Sequence, residues 1–154
     1  MTTFADHSPR AWPGYFLKYS CLLKGLNILV AEDNLINQKI ANYILTKQGA
    51  KVQNAVNGME AVQMIENHTP IDIILMDLQM PGMDGIEAAT RIRKDLGSNV
   101  PIIALTADLY ANESQECAAA GINACIAKPF EPEALCDLIL QLTGRKEQNT
   151  PILL

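Results

Sequence analysis

No stretch of this 154-residue chain holds the roughly 18 uncharged apolar residues that a membrane-crossing helix needs. The first residues also lack a basic stretch followed by an apolar one, so no secretory signal is expected and the cytoplasm is the default compartment. Four cysteines (Cys21, Cys117, Cys125, Cys136) form no C-x-x-C pair and have no nearby histidine to complete a zinc set. Reduced, mostly buried thiols are the expectation. Positive charge is scarce where it would matter. Between Gly25 and Thr143, seven Lys or Arg stand against fifteen Asp or Glu, a net of −8 compared with −5 for the whole chain. A segment this acidic does not hold a nucleic-acid backbone through charge, so no nucleic-acid partner is expected. No internal repeat is visible.

The residues that are present fit one soluble domain. Apolar residues make up 49% and charged residues 19%, and the length suffices for a real core. Residues 1–24 mix Pro13, Gly14, aromatics and polar side chains without a period, and read as a linker or the remnant of a preceding domain. Residues 25–143 read as the folded domain. Residues 144–154 are polar, then interrupted by Pro151, and read as a flexible tail.

The middle alternates between short aliphatic runs and longer helical segments. The runs are Asn27–Ala31, Lys51–Ala55, Ile71–Met76, Pro101–Leu105 and Ala124–Ala127. The first helix is predicted to open at Asn34, to set Ile36, Ile40 and Ile44 on one face, and to stop at Gly49. Others begin at Asn57, at Asp84 and near Asp108, with Asp84 and Asp108 read as caps. The last has Pro132 in its first turn and Leu135, Leu138, Ile139 and Leu142 at i, i+3, i+4, i+7. Five βα units in sequence imply a doubly wound parallel sheet covered on both faces. In such α/β sheets the functional crevice lies beyond the carboxyl ends of the strands.

The residues at the strand ends are therefore the informative ones. The first strand runs into Glu32-Asp33, the third ends at Asp77, the fourth at Thr106 and the fifth at Lys128-Pro129. Singly, each has a bland explanation: an acidic pair favoured by a helix dipole, a strand end, a solvated lysine. Together they place three carboxylates, a hydroxyl and an ammonium at one edge. Such a cluster needs compensation, and Mg²⁺ supplies it by taking one or two carboxylates, waters and phosphate oxygens. That is the equipment of phosphoryl transfer, with Asp77 as the nucleophile.

The strings ILVAEDN, ILMDLQMPGMDG, IIALTA and IAKPF, in this order, resemble the receiver domain of two-component response regulators over roughly Leu26 to Leu142. The resemblance implies a flavodoxin-like (βα)5 fold with strand order 2-1-3-4-5. It implies Asp77 as phosphoacceptor, Asp33 as direct Mg²⁺ ligand, Glu32 as its acidic neighbour and the Gln79 carbonyl as a third protein ligand. It further implies Thr106 as the hydroxyl that turns to the phosphoryl group, Lys128 as its ammonium partner and Pro129 as the site of a cis peptide. The donor it implies is a phosphohistidine on a histidine kinase or histidine phosphotransfer protein, with the receiver itself catalysing the transfer.

The segment Glu-Asp-Asn-Leu-Ile-Asn-Gln (residues 32–38) is similar to receivers fused to hybrid sensor kinases. In such a protein this segment would be the cytoplasmic part. The similarity implies a docking surface at Asn34, Leu35, Ile36 and Gln38. A monomer or weak dimer is expected. One departure stands out: the family's aromatic switch residue, three places before the lysine, is Cys125 here. The coupling between Thr106 and the output surface is expected to be reduced. Two other functions compete. A Mg²⁺-dependent phosphatase with an Asp nucleophile would show an Asp-x-Asp pair, and Asp77 is followed by Leu78 and Gln79. A pseudo-receiver acting only as an interaction module would lack an acidic residue, the acceptor or the lysine, and none is missing.

Overall fold

Aliphatic runs become strands because branched side chains fit a pleated surface that is buried on both sides. The computed structural model describes residues 21–109 and 111–145. Its strands are β1 (Asn27–Ala31), β2 (Lys51–Ala55), β3 (Ile73–Asp77), β4 (Ile102–Thr106) and β5 (Ala124–Ala127). All neighbours pair in parallel, in the order β2-β1-β3-β4-β5. Five helices alternate with them: α1 (Leu35–Lys47), α2 (Gly58–Glu66), α3 (Gly85–Lys94), α4 (Ala111–Ala119) and α5 (Pro132–Leu142).

Side-chain alternation along the strands divides the core in two. Leu29, Ile74, Met76, Ile102 and Ala104 face Ala61 of α2, Ala88 and Ile92 of α3, and Cys117 of α4. Ile28, Val30, Ile73, Leu75, Ile103 and Leu105 face Ala41 and Leu45 of α1 and Leu135 and Ile139 of α5. The sheet is thus doubly wound, and its carboxyl edge is where the order reverses between β1 and β3.

Helix starts obey the capping chemistry. The Asn34 side chain accepts from the N–H groups of Ile36 and Asn37, Asn57 from Glu60, and Asp84 from Glu87. Pro132 occupies the first turn of α5.

Several details differ from the sequence expectation. The buried stripe of α1 is Ala41 and Leu45, whereas Ile36 and Ile40 are 69% and 51% exposed. Apolar residues surround this helix, so periodicity alone does not select the inward stripe. α4 starts at Ala111, three residues after Asp108. Leu23, within the segment expected as linker, is fully buried, and its N–H donates to the Gln48 carbonyl at 3.0 Å. Gly144 and Arg145, at the start of the segment expected as tail, continue from α5, and the Arg145 guanidinium donates to the Lys24 carbonyl. Residues 1–20 and 146–154 lie outside the described residues.

Candidate functional site

The strand ends meet as the topology requires. Glu32 and Asp33 come directly after β1, and Asp77 closes β3, its immediate neighbour in the sheet. Glu32, Asp33 and Asp77 each offer a carboxylate oxygen, and these oxygens lie within 4.8 Å of one another. Glu32 and Asp77 are buried, while Asp33 is exposed and opens the cluster to solvent.

Lys128 enters from beyond β5. Its Nζ donates to Asp77 Oδ2 at 3.2 Å and to Glu32 Oε2 at 3.3 Å. Burial by itself would lower the Lys128 pKa, but the Asp77 carboxylate, together with Glu32, outweighs it and raises the value, so the ammonium stays charged. Glu32 is displaced upward, above all by burial and then by the nearby Asp77 charge, against the opposing pull of the Asn34 N–H and Lys128. Three carboxylates share this edge with the one Lys128 ammonium, so charge alone leaves the cluster negative. Crowded carboxylate oxygens with one solvent-facing member are a donor set that suits a hard divalent cation.

The remaining expected residues take defined places. The Gln79 N–H donates to Asp77 Oδ1 at 3.1 Å, which fixes the carboxylate plane while the Gln79 side chain is exposed. Thr106, buried at the end of β4, donates its hydroxyl to the Asp108 carbonyl at 2.7 Å and accepts from the Asp108 N–H at 3.0 Å. The Lys128 N–H donates to the Thr106 carbonyl at 2.7 Å, and the Lys128–Pro129 peptide is cis. Cys125 lies within β5 opposite Ala104 and packs, half-buried, with the α2–α4 side of the core. Leu35 and Ile36 are exposed on α1. The Asn34 N–H donates to Glu32 Oε1 at 3.1 Å.

Gly85 adds a requirement that composition does not reveal. A Cβ there would collide with the Asp77 carbonyl oxygen and lie 3.0 Å from Leu78 Cα. The start of α3 thus rests directly on the backbone that presents Asp77. The Asp-Gly pair is legible in the sequence as a cap and turn; the contact behind the acid is not.

The family model for the response regulator receiver domain matches residues 28–140. The chain belongs to this family. It is 45% identical over 114 residues to hybrid signal transduction histidine kinase H of Dictyostelium discoideum. That match covers 71% of this chain but only 8% of the relative's length. Among solved structures, it is similar to the receiver domain of a sensor histidine kinase from Pseudomonas aeruginosa, which has a magnesium ion coordinated in its active-site cleft. The TM-score is 0.71 at 37% identity, covering 78% of this chain and 98% of that one. It is also similar to the receiver domain of the Saccharomyces cerevisiae response regulator Ssk1, seen in complex with the histidine phosphotransfer protein Ypd1. There the TM-score is 0.72 at 34% identity, covering 79% and 91% of the two chains. The receiver therefore has the flavodoxin-like fold of two-component signalling. No helix among its described residues is long and apolar enough to cross a membrane.

Proposed function

We propose that this receiver accepts a phosphoryl group on Asp77 from a phosphohistidine, with Mg²⁺ held by Glu32, Asp33, Asp77 and the Gln79 carbonyl. The observation that carries the reading is the Lys128 ammonium set between Asp77 and Glu32 beside a third carboxylate. When bound, Mg²⁺ supplies positive charge to the phosphoryl oxygens. Asp77 attacks phosphorus, the P–N bond to the donor imidazole breaks as the O–P bond forms, and the imidazole takes up a proton as it leaves. Lys128 moves part of its hydrogen bonding from Asp77 to a phosphoryl oxygen. Thr106 gives up its bond to the Asp108 carbonyl to donate to another.

The donor is a histidine kinase or a histidine phosphotransfer protein, and the parent protein is a hybrid kinase. Support for docking comes from α1, where Leu35 and Ile36 are 64% and 69% exposed beside Asn34 and Gln38. A groove of about 340 Å³ runs between this helix and the β5–α5 loop, with Ile40, Pro129 and Phe130 among its apolar walls and Lys128 also lining it. An apolar helix beside the acceptor suits a helical donor surface. Cys125, in place of an aromatic, leaves Thr106 without its usual rotating partner and favours a relay role over a large output change.

Acetyl phosphate with Mg²⁺ tests the reading. Intact-mass measurement is expected to find one phosphoryl group on the wild type and none on Asp77→Asn, and equal labelling of both would refute it.

A further inference from the structure

The β1–α1 turn is one hydrogen-bonded unit, and Gln38 holds it from the helix side. Glu32 is fastened through both its side chain and its backbone. Its Oε1 accepts from the Asn34 N–H at 3.1 Å, and its Oε2 accepts from Lys128 at 3.3 Å. Its N–H donates to the Ala55 carbonyl at 3.0 Å. Its own carbonyl, in the peptide that leads into Asp33, accepts from Gln38 Nε2 at 3.3 Å. Gln38 sits in the first turn of α1, and its N–H donates to the Asn34 carbonyl at 2.9 Å. The half-buried side chain thus turns its amide nitrogen back under the acidic pair instead of outward with Leu35 and Ile36.

We infer that Gln38 is a positioning residue for the metal-binding acids, rather than a member of the docking surface alone. The Glu32–Asp33 peptide can rotate about its flanking bonds, and Asp33 is solvent-exposed with little packing to restrain it. A donor locked to the Glu32 carbonyl fixes the plane of that peptide, and with it the direction in which the Asp33 carboxylate leaves the chain. Metal affinity depends on such outer contacts because they orient ligands before the ion arrives. The same bond ties the first turn of α1 to the acids. A partner that presses on the helix therefore acts on the metal site through Gln38.

This inference rests on the receiver reading, and the test separates the two. Mg²⁺ affinity is measured by NMR titration of the Asn34 and Gln79 amides in wild type, Gln38→Met and Tyr43→Ala, the last at an exposed position further along α1. Methionine keeps the length and helix propensity of glutamine but has no donor. Gln38→Met is expected to weaken Mg²⁺ about fivefold, the scale of one lost hydrogen bond. It is also expected to slow labelling by acetyl phosphate at low Mg²⁺, with recovery at saturating Mg²⁺. Tyr43→Ala is expected to leave Mg²⁺ affinity unchanged. A Gln38→Met protein with wild-type Mg²⁺ affinity and an unchanged thermal midpoint overturns the inference and leaves the receiver reading intact. A wild type that binds no Mg²⁺ overturns both. Gln38→Glu provides a second variant: it keeps the shape but points an acceptor at the Glu32 carbonyl. A gain in Mg²⁺ affinity from its added charge, with no loss in Gln38→Met, would likewise overturn the inference.

Discussion

Lys128 Nζ lies 3.2 Å from Asp77 Oδ2, a contact across 51 residues of sequence that spans the carboxyl edge from β3 to beyond β5. Since Glu32 takes a second bond from the same ammonium, Lys128 acts as a charge bridge between two neighbouring strand ends. Replacing it should separate binding from transfer. Lys128→Ala is expected to retain Mg²⁺ binding while labelling by acetyl phosphate slows by roughly 100-fold, the usual cost of losing one donor to a transferring group. Stopped-flow or quench-flow labelling at saturating Mg²⁺ checks this, and unchanged kinetics would remove the electrostatic role.

Gly85 is expected to be intolerant of any side chain. Gly85→Ala forces a methyl against the Asp77 carbonyl, so either α3 or the Asp77 backbone must shift. Overpacking of this kind costs about 1–3 kcal/mol. Urea unfolding should register the loss, and Mg²⁺ affinity should fall with it because the displaced backbone carries the Asp77 carboxylate of the acidic cluster. A Gly85→Ala protein as stable as wild type would show that α3 can move away freely.

The cysteines should divide by accessibility. Cys21 is exposed, while Cys117 and Cys136 are buried. Burial, with a lesser push from the charges of Asp137 and Glu133, moves the Cys136 thiol up to about 11. At pH 8 roughly one such thiol in a thousand is ionised, so iodoacetamide should modify Cys21 first and reach Cys136 only on unfolding. The thiol's folded value lies above its ordinary value of 9.0. Its stabilising contribution is therefore complete below that pH and is lost as pH rises towards 11. Cys136→Ala should make the alkaline decline of stability shallower, as measured by denaturant unfolding at several pH values.

Cys125 sits in β5, the strand paired with the one that ends at Thr106. Cys125→Tyr is expected to enlarge the phosphorylation-induced amide shifts in α4, measured by NMR. Equal shifts in both proteins would make the position inert.

Much of this is legible in the sequence because it depends on backbone rules. Aliphatic runs separated by capped helices specify a parallel sheet, and a parallel sheet assigns its chemistry to the residues after each strand, so Asp77, Thr106 and Lys128 can be picked out together. The hidden part depends on which side of an element faces inward. Ile36, Ile40 and Ile44 form a plausible inward face of α1, yet Ala41 and Leu45 fill the space against β1 and β3, and small residues give little signal in a pattern of apolar side chains. Glutamine is usually solvated, so the sequence suggests a surface role alone for Gln38. Its bond to the Glu32 carbonyl arises only once the turn after β1 folds back on the helix. The Gly85 contact is hidden for the same reason, as a close approach between elements leaves no trace in either one's periodicity.

The location of the phosphoryl group is the most direct test of the central claim. After treatment with acetyl phosphate and Mg²⁺, borohydride reduction converts an aspartyl phosphate to homoserine, and peptide mass spectrometry places it. Homoserine at position 77, absent when Mg²⁺ is omitted, is the predicted result. Homoserine at Asp33 or at another aspartate, with none at Asp77, would contradict it.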